Sequence, residues 1–138
     1  EVVFACGGGL FNSVVAAADE ASPKGWVVGV DSDQSHLSDR FLTSAYKELP
    51  NTTASYLQKL YDNGGKWPAD LAGQQVVLGA STKSVGIPTA DASWRFSTFT
   101  VAEYDALYAK ILDGSLVIDG SFDSTVTPTV DIAVDYMS

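Results

Sequence analysis

Val2-Val3-Phe4-Ala5-Cys6-Gly7-Gly8-Gly9, followed at a distance by Trp26-Val27-Val28-Gly29-Val30-Asp31, is the stretch on which the fold turns. A short continuous apolar run ending in glycines reads as a buried parallel strand entering a tight turn. Phe11, Val14, Val15 and Ala18 then recur at helical spacing, and Pro23 stops that helix. The second apolar run closes on Asp31. Strand, glycine turn, helix and strand within about thirty residues make a βαβ unit.

Working outward, Phe41 to Ala45 is a third extended piece. Asn51, Thr52 or Thr53 caps a helix whose Leu57, Leu60 and Tyr61 share a face, with Gly64-Gly65 as its stop. Gln75-Val76-Val77-Leu78-Gly79 is another β-type run. Thr100-Val101-Ala102-Glu103 matches a capping box, and the helix behind it places Tyr104, Leu107, Tyr108, Ile111 and Leu112 on one side before Gly114. Ser115 to Ser138, rich in Val, Thr and Asp, reads as short strands and turns. The alternation predicts an α/β fold, a mainly parallel sheet with helices on both faces, over residues 1–138 as a single domain. In such sheets ligands sit at the carboxyl ends of the strands. That rule points to the glycines after Phe4, to Asp31 and to the loop after Gly79.

The chain has 138 residues, 46% hydrophobic and 18% charged, with eight Lys plus Arg against seventeen Asp plus Glu. A formal charge of −9 argues against nucleic acid as a partner, which needs clustered cations to displace phosphate counterions. It argues equally against anionic lipid headgroups. The single cysteine, Cys6, excludes an intrachain disulfide and a thiolate metal cluster. No apolar run approaches the roughly 20 residues that span a bilayer. The chain opens directly on a strand, which leads us to expect an upstream segment.

Each candidate site residue has a bland alternative. Gly7-Gly8-Gly9 lacks both the dinucleotide fingerprint and the P-loop lysine. These glycines either form a turn alone or let a ligand approach the backbone. Asp31, at the carboxyl end of its strand, suits the acceptance of two vicinal hydroxyls, as in a ribose; the alternative is a turn or helix cap from Asp31 or Asp33. His36, the sole histidine, sits in the polar run Ser35-His36-Leu37-Ser38-Asp39, an exposed loop with no nucleophile elbow elsewhere. Phe4, Phe11, Trp26, Trp67 and Trp94 are core candidates, though Phe4, next to the glycine turn, is also placed to stack on a flat ring.

Phe4-Ala5-Cys6-Gly7-Gly8-Gly9-Leu10-Phe11-Asn12-Ser13-Val14, then Gly29-Val30-Asp31-Ser32-Asp33-Gln34-Ser35, then Leu42-Thr43-Ser44-Ala45-Tyr46-Lys47 together resemble the basic-membrane-protein lipoproteins. These include purine nucleoside receptors of ABC transporters. The resemblance is tightest over the first third of the chain and looser over Gly79 to Ile87 and Val101 to Gly114. It implies a lobe of the periplasmic-binding-protein type I fold, with this chain similar to the C-terminal lobe and the N-terminal lobe absent. It further implies Phe4 on one face of a purine, backbone around Gly8 and Gly9 lining the cleft, and Asp31 on ribose hydroxyls. No cofactor, metal or catalytic residue is implied. The implied partners are a nucleoside-like small molecule and an ABC transporter permease, at an extracytoplasmic, lipid-anchored location.

Two departures bear on the ligand. Leu10-Phe11 replaces the family's Thr-Gly, and Ser81 stands where the family's Gly-Leu-Lys loop has its lysine. Either Lys83, two residues on, reaches the sugar from a shifted loop, or the ligand is held differently. The resulting expectation is a non-enzymatic solute receptor. A ligand sensor on the same fold is the alternative, a small α/β hydrolase the remote one, and self-association of the exposed lobe surface is left open.

Overall fold

The computed structural model describes residues 1–118; the predicted strands and turns beyond Ile118 lie outside them. Among the described residues four strands form one sheet in the order β1-β2-β3-β4: β1 (Val2–Phe4), β2 (Trp26–Asp31), β3 (Phe41–Lys47) and β4 (Val85–Gly86). The first three are parallel, with Phe4 level with Val28 and Asp31 level with Tyr46. The two-residue β4 runs antiparallel to β3, pairing Val85 with Lys47. Three helices accompany the sheet among these residues, α1 (Phe11–Glu20), α2 (Leu49–Asp62) and α3 (Val101–Leu112). The α/β, mostly parallel architecture read from the sequence is the one observed.

The core follows from the α1 pattern. Its apolar stripe lays Ala18 against Ala5, Val27 and Phe41, with Phe11, Val14 and Val15 closing around them. Val27 and Phe41 are completely buried, each contributing about 1.5–3 kcal/mol through lost water contact. Phe11 and Phe41 meet as tilted rings 6.0 Å apart, a geometry that suits aromatic quadrupoles.

Three expectations are corrected. The run Gln75–Gly79 forms no strand, and Val77 is 88% exposed; apolar β-formers make a strand only where a sheet edge accepts their backbone. Asn51, Thr52 and Thr53 are inside α2, which starts at Leu49 with Pro50 in its first turn and no side-chain cap from Glu48. Proline's fixed φ and missing N–H suit that position without a capping side chain. Of the aromatic core candidates, Trp67 and Phe4 are about half exposed, 48% and 53%. Conversely, the capping box forms as read. Glu103 N donates to Thr100 Oγ1 at 3.2 Å and Thr100 N donates to Glu103 Oε2 at 2.8 Å.

A strap from the second half fixes the loop between β2 and β3. Arg95 Nη1 donates to the Phe41 carbonyl at 2.8 Å and Nη2 to the Ser35 carbonyl at 3.1 Å. Ser93 Oγ donates to Asp33 Oδ2 at 2.6 Å. Next to the strap, Trp94 packs on Phe96, Phe99 and Tyr104 with ring centres 4.9, 5.7 and 6.1 Å away.

Candidate functional site

Parallel pairing of β1 and β2 brings two of the predicted residues to the same end of the sheet. Phe4 is the last residue of β1 and Asp31 the last of β2. Beyond Phe4, Gly8–Leu10 forms a single 3₁₀ turn that runs straight into α1. Gly8 adopts φ +37°, and among the described residues no atom stands within 4 Å of where side chains on Gly8 or Gly9 would begin. The glycine turn is therefore open backbone at a helix entrance, where N–H groups lack intrahelical partners.

Asp31 is held in an uncommon conformation. Its φ is +69°, and Ser32 N donates to the Val30 carbonyl at 2.8 Å, closing a three-residue turn across it. Left-handed backbone at a residue with a Cβ is unfavourable, although Asp tolerates it better than most. The neighbours over-determine the turn. Gln34 Oε1 accepts from Val30 N at 3.1 Å, and Gln34 N donates to Ser44 Oγ at 3.0 Å. Gln34 and Ser44 are both buried. Asp33 accepts from Ser35 N at 3.0 Å and from Ser93. Within Asp31-Ser32-Asp33-Gln34, then, Asp33 and Gln34 form the scaffold, Ser32 is exposed, and Asp31 is a carboxylate with about half of its side chain open.

The charge beside Asp31 comes from β3. Lys47 Nζ lies 2.6 Å from Asp31 Oδ1, with the two side chains 59% and 49% exposed. The pair closes Oδ1 to solvent, and attraction between the opposite charges holds it. Contact with the Asp31 carboxylate, then its charge, raises Lys47 above the ordinary lysine range, with a smaller contribution from Cys6. Asp33 behaves oppositely. Burial pushes its carboxyl up, but the bonds from Ser93 and Ser35 outweigh burial and hold it below the usual carboxylate range.

Lys83, the predicted stand-in for the family lysine, is not joined to this group. It sits at φ +54° after the 3₁₀ turn Ala80–Thr82. There it lines a cavity of about 320 Å³ with Asn51, Tyr56 and Lys59, and another of about 460 Å³ with Tyr46, Tyr104 and Tyr108. Neither cavity includes Phe4 or Asp31. The residue missed by sequence reasoning is Lys47, quoted in the Leu-Thr-Ser motif but given no role; only strand register sets it beside Asp31. His36 is exposed, as read.

A larger cavity, about 540 Å³, lies at the other end of the sheet between β1 and α1, lined by Glu1, Val3, Val14, Ala18, Pro23 and Gly25. It is mostly apolar; its polar side chains are those of Glu1, Ser13 and Ser22, without the aromatic ring and strand-end carboxylate that the carboxyl ends of β1 and β2 bring together. We therefore place the candidate site at the carboxyl ends of β1 and β2.

Among curated individual proteins, none matches the chain. The profile of the Bmp family, described as ABC transporter substrate-binding protein PnrA-like, matches residues 1–119. With that match over most of its length, and with a parallel sheet whose strand ends carry Phe4, the glycine turn and Asp31, the chain belongs to the Bmp family of ABC transporter substrate-binding proteins.

Proposed function

We propose that the chain is the C-terminal lobe of a solute receptor that holds a nucleoside or closely related ligand in a cleft between two lobes and delivers it to an ABC importer. Membership of the family establishes the coarser part, a substrate-binding role in an ABC transporter, and that role implies an extracytoplasmic location. Among the described residues no helix is long and apolar enough to cross a membrane; a lipid anchor as the means of attachment belongs to the proposal.

The observation that carries the ligand reading is the pairing of a half-exposed aromatic ring with a half-open carboxylate at adjacent strand ends. Phe4 offers a ring face, and base–aromatic stacking is worth about 1–3 kcal/mol per base. Asp31 offers an acceptor for sugar hydroxyls, while Gly8 and Gly9 let the ligand approach the backbone. Affinity then comes from stacking and a few fixed polar contacts, with lobe closure excluding water. In this reading Lys83 either swings toward the sugar on closure or leaves that contact unmade.

A thermal-shift screen against purine and pyrimidine nucleosides, free bases and ribose, with Asp31→Ala in parallel, tests the reading. A nucleoside that stabilises the protein but not the variant supports it. Stabilisation by none of these moves the ligand to another chemical class. One lobe supplies part of a cleft, so the chain alone is expected to bind weakly; submicromolar affinity by calorimetry contradicts that part.

A further inference from the structure

Asp31 does not face a ligand with two free oxygens. Oδ1 is closed to solvent and lies 2.6 Å from the Lys47 ammonium. Half of the Asp31 side chain nevertheless remains open, and Oδ2 is the oxygen left to accept from a ligand. Lys47 carries three N–H donors. The ammonium faces Oδ1 as an ion pair, and its N–H groups have no other protein acceptor among the described residues, on a side chain that is 59% exposed. An ionised carboxylate only accepts and an ammonium only donates. A vicinal diol brings two oxygens, each able to do either, at about the separation of the two charged groups.

We infer that Lys47 is a ligand-contacting residue, and that Asp31 and Lys47 act as one acceptor–donor couple reading a vicinal diol. One hydroxyl donates to Asp31 Oδ2 and the other accepts from Lys47 Nζ. The inference rests on the receptor reading above and deepens it by assigning a polarity to sugar recognition. Three structural features fix the couple. Asp31 is held at φ +69°, β2 and β3 set Asp31 level with Tyr46, and Val85 of β4 pairs with Lys47 itself. The couple also brings the local charge to zero, which favours a neutral polyol over an anionic or cationic ligand at this point.

The experiment compares inosine, 2′-deoxyinosine, 3′-deoxyinosine and free ribose by ligand-observed NMR at millimolar concentration, on the unaltered chain and on Lys47→Met and Lys47→Arg. For the unaltered chain, removing either hydroxyl is expected to weaken binding roughly tenfold. In Lys47→Met inosine weakens by roughly tenfold, and one of the two deoxy analogues now binds as well as inosine does. Lys47→Arg keeps a donor and restores most of the discrimination. A merely structural ion pair would move affinity for all four ligands together and leave the deoxy ratios unchanged.

Inosine binding that is indifferent to Lys47→Met, in affinity and in both deoxy ratios, overturns the couple and leaves the receptor reading standing. Lys47-dependent binding of ribose without any binding of inosine upholds the couple and overturns the nucleoside reading. Binding of neither ligand overturns both. Thermal melts of the two variants accompany the titrations, and because Lys47 is exposed, both are expected to fold.

Discussion

Gln34 Oε1 lies so close to Gly29 that a Cβ there would stand 2.5 Å from it and 2.6 Å from Ser44 Oγ. Gln34 is thereby seated over the end of β2, where it caps Val30 N and carries the turn that aims Asp31. The glycine of Gly29-Val30-Asp31 is a packing requirement of the site's support. Gly29→Ala must push the buried amide or hydroxyl away, breaking at least one hydrogen bond, and is expected to cost about 1–3 kcal/mol. Urea unfolding measures it; a change below half a kcal/mol would show that the Gln34 side chain moves freely.

Backbone strain at Asp31 separates stability from binding. At φ +69° a residue with a Cβ is disfavoured and glycine is not. Asp31→Gly is therefore expected to be more stable than Asp31→Ala by about 1 kcal/mol, while both lose ribose-dependent binding. Equal unfolding midpoints for the two variants would contradict the strain at this position.

Asp33 predicts an acid-side signature. Its folded-state pKa is depressed, so its contribution to stability is full above its unfolded value, about 3.9, and disappears as pH falls through the lower folded value. Ser93→Ala removes a lowering hydrogen bond and moves the folded pKa back toward the unfolded one. The variant should be less stable than the unaltered chain at pH 6, and the gap should narrow as pH falls below the unfolded value. A gap that stays constant from pH 6 to pH 2 would assign Ser93's role to packing alone.

Arg95 holds the β2–β3 loop chiefly through the Phe41 and Ser35 carbonyls. Its pairing with Asp39, at 3.4 Å on a side chain 92% exposed, adds little. Arg95→Met is expected to cost about 1.5–3 kcal/mol, and Asp39→Ala close to nothing. Lysine lacks the planar fork that spans two acceptors, so Arg95→Lys should recover only a minority of the loss. Denaturant titrations of the three variants decide the ranking.

Phe4 should divide the other way. Half exposed on an edge strand of the sheet formed by the described residues, it adds little to the fold, and Phe4→Ala is expected to change stability by less than about 1 kcal/mol. Nucleoside binding should drop by about tenfold, the lower part of the range for one lost stack, with Phe4→Tyr retaining most of it. Loss of stability without loss of binding would return Phe4 to the core assignment.

Several features were set by residues near one another in the sequence. The apolar runs gave parallel strands, although β1, read as buried, is exposed at Val2, Val3 and Phe4. The spacing of Phe11, Val14, Val15 and Ala18 gave the helix that closes the core, and Thr100 with Glu103 gave the start of α3. Each depends on backbone periodicity or on groups within one turn, which local order along the chain fully specifies. The run Gln75–Gly79 shows the limit: its residues favour a strand, but strand formation needs an edge to pair with, and no local signal reports that. The pairing of Asp31 with Lys47 was illegible for the same reason. Sixteen positions separate the two residues, and they meet because β2 and β3 pair with Asp31 level with Tyr46. Register at the Asp31 end is set after a one-residue shift beyond Val27, with buried Thr43 and Ser44 opposite Val28 and Gly29; it is a property of the assembled sheet, and a slip of one residue would turn Lys47 to the other face. The sequence by itself therefore determined which residues end the strands, and tertiary packing alone decided which charge stands beside Asp31.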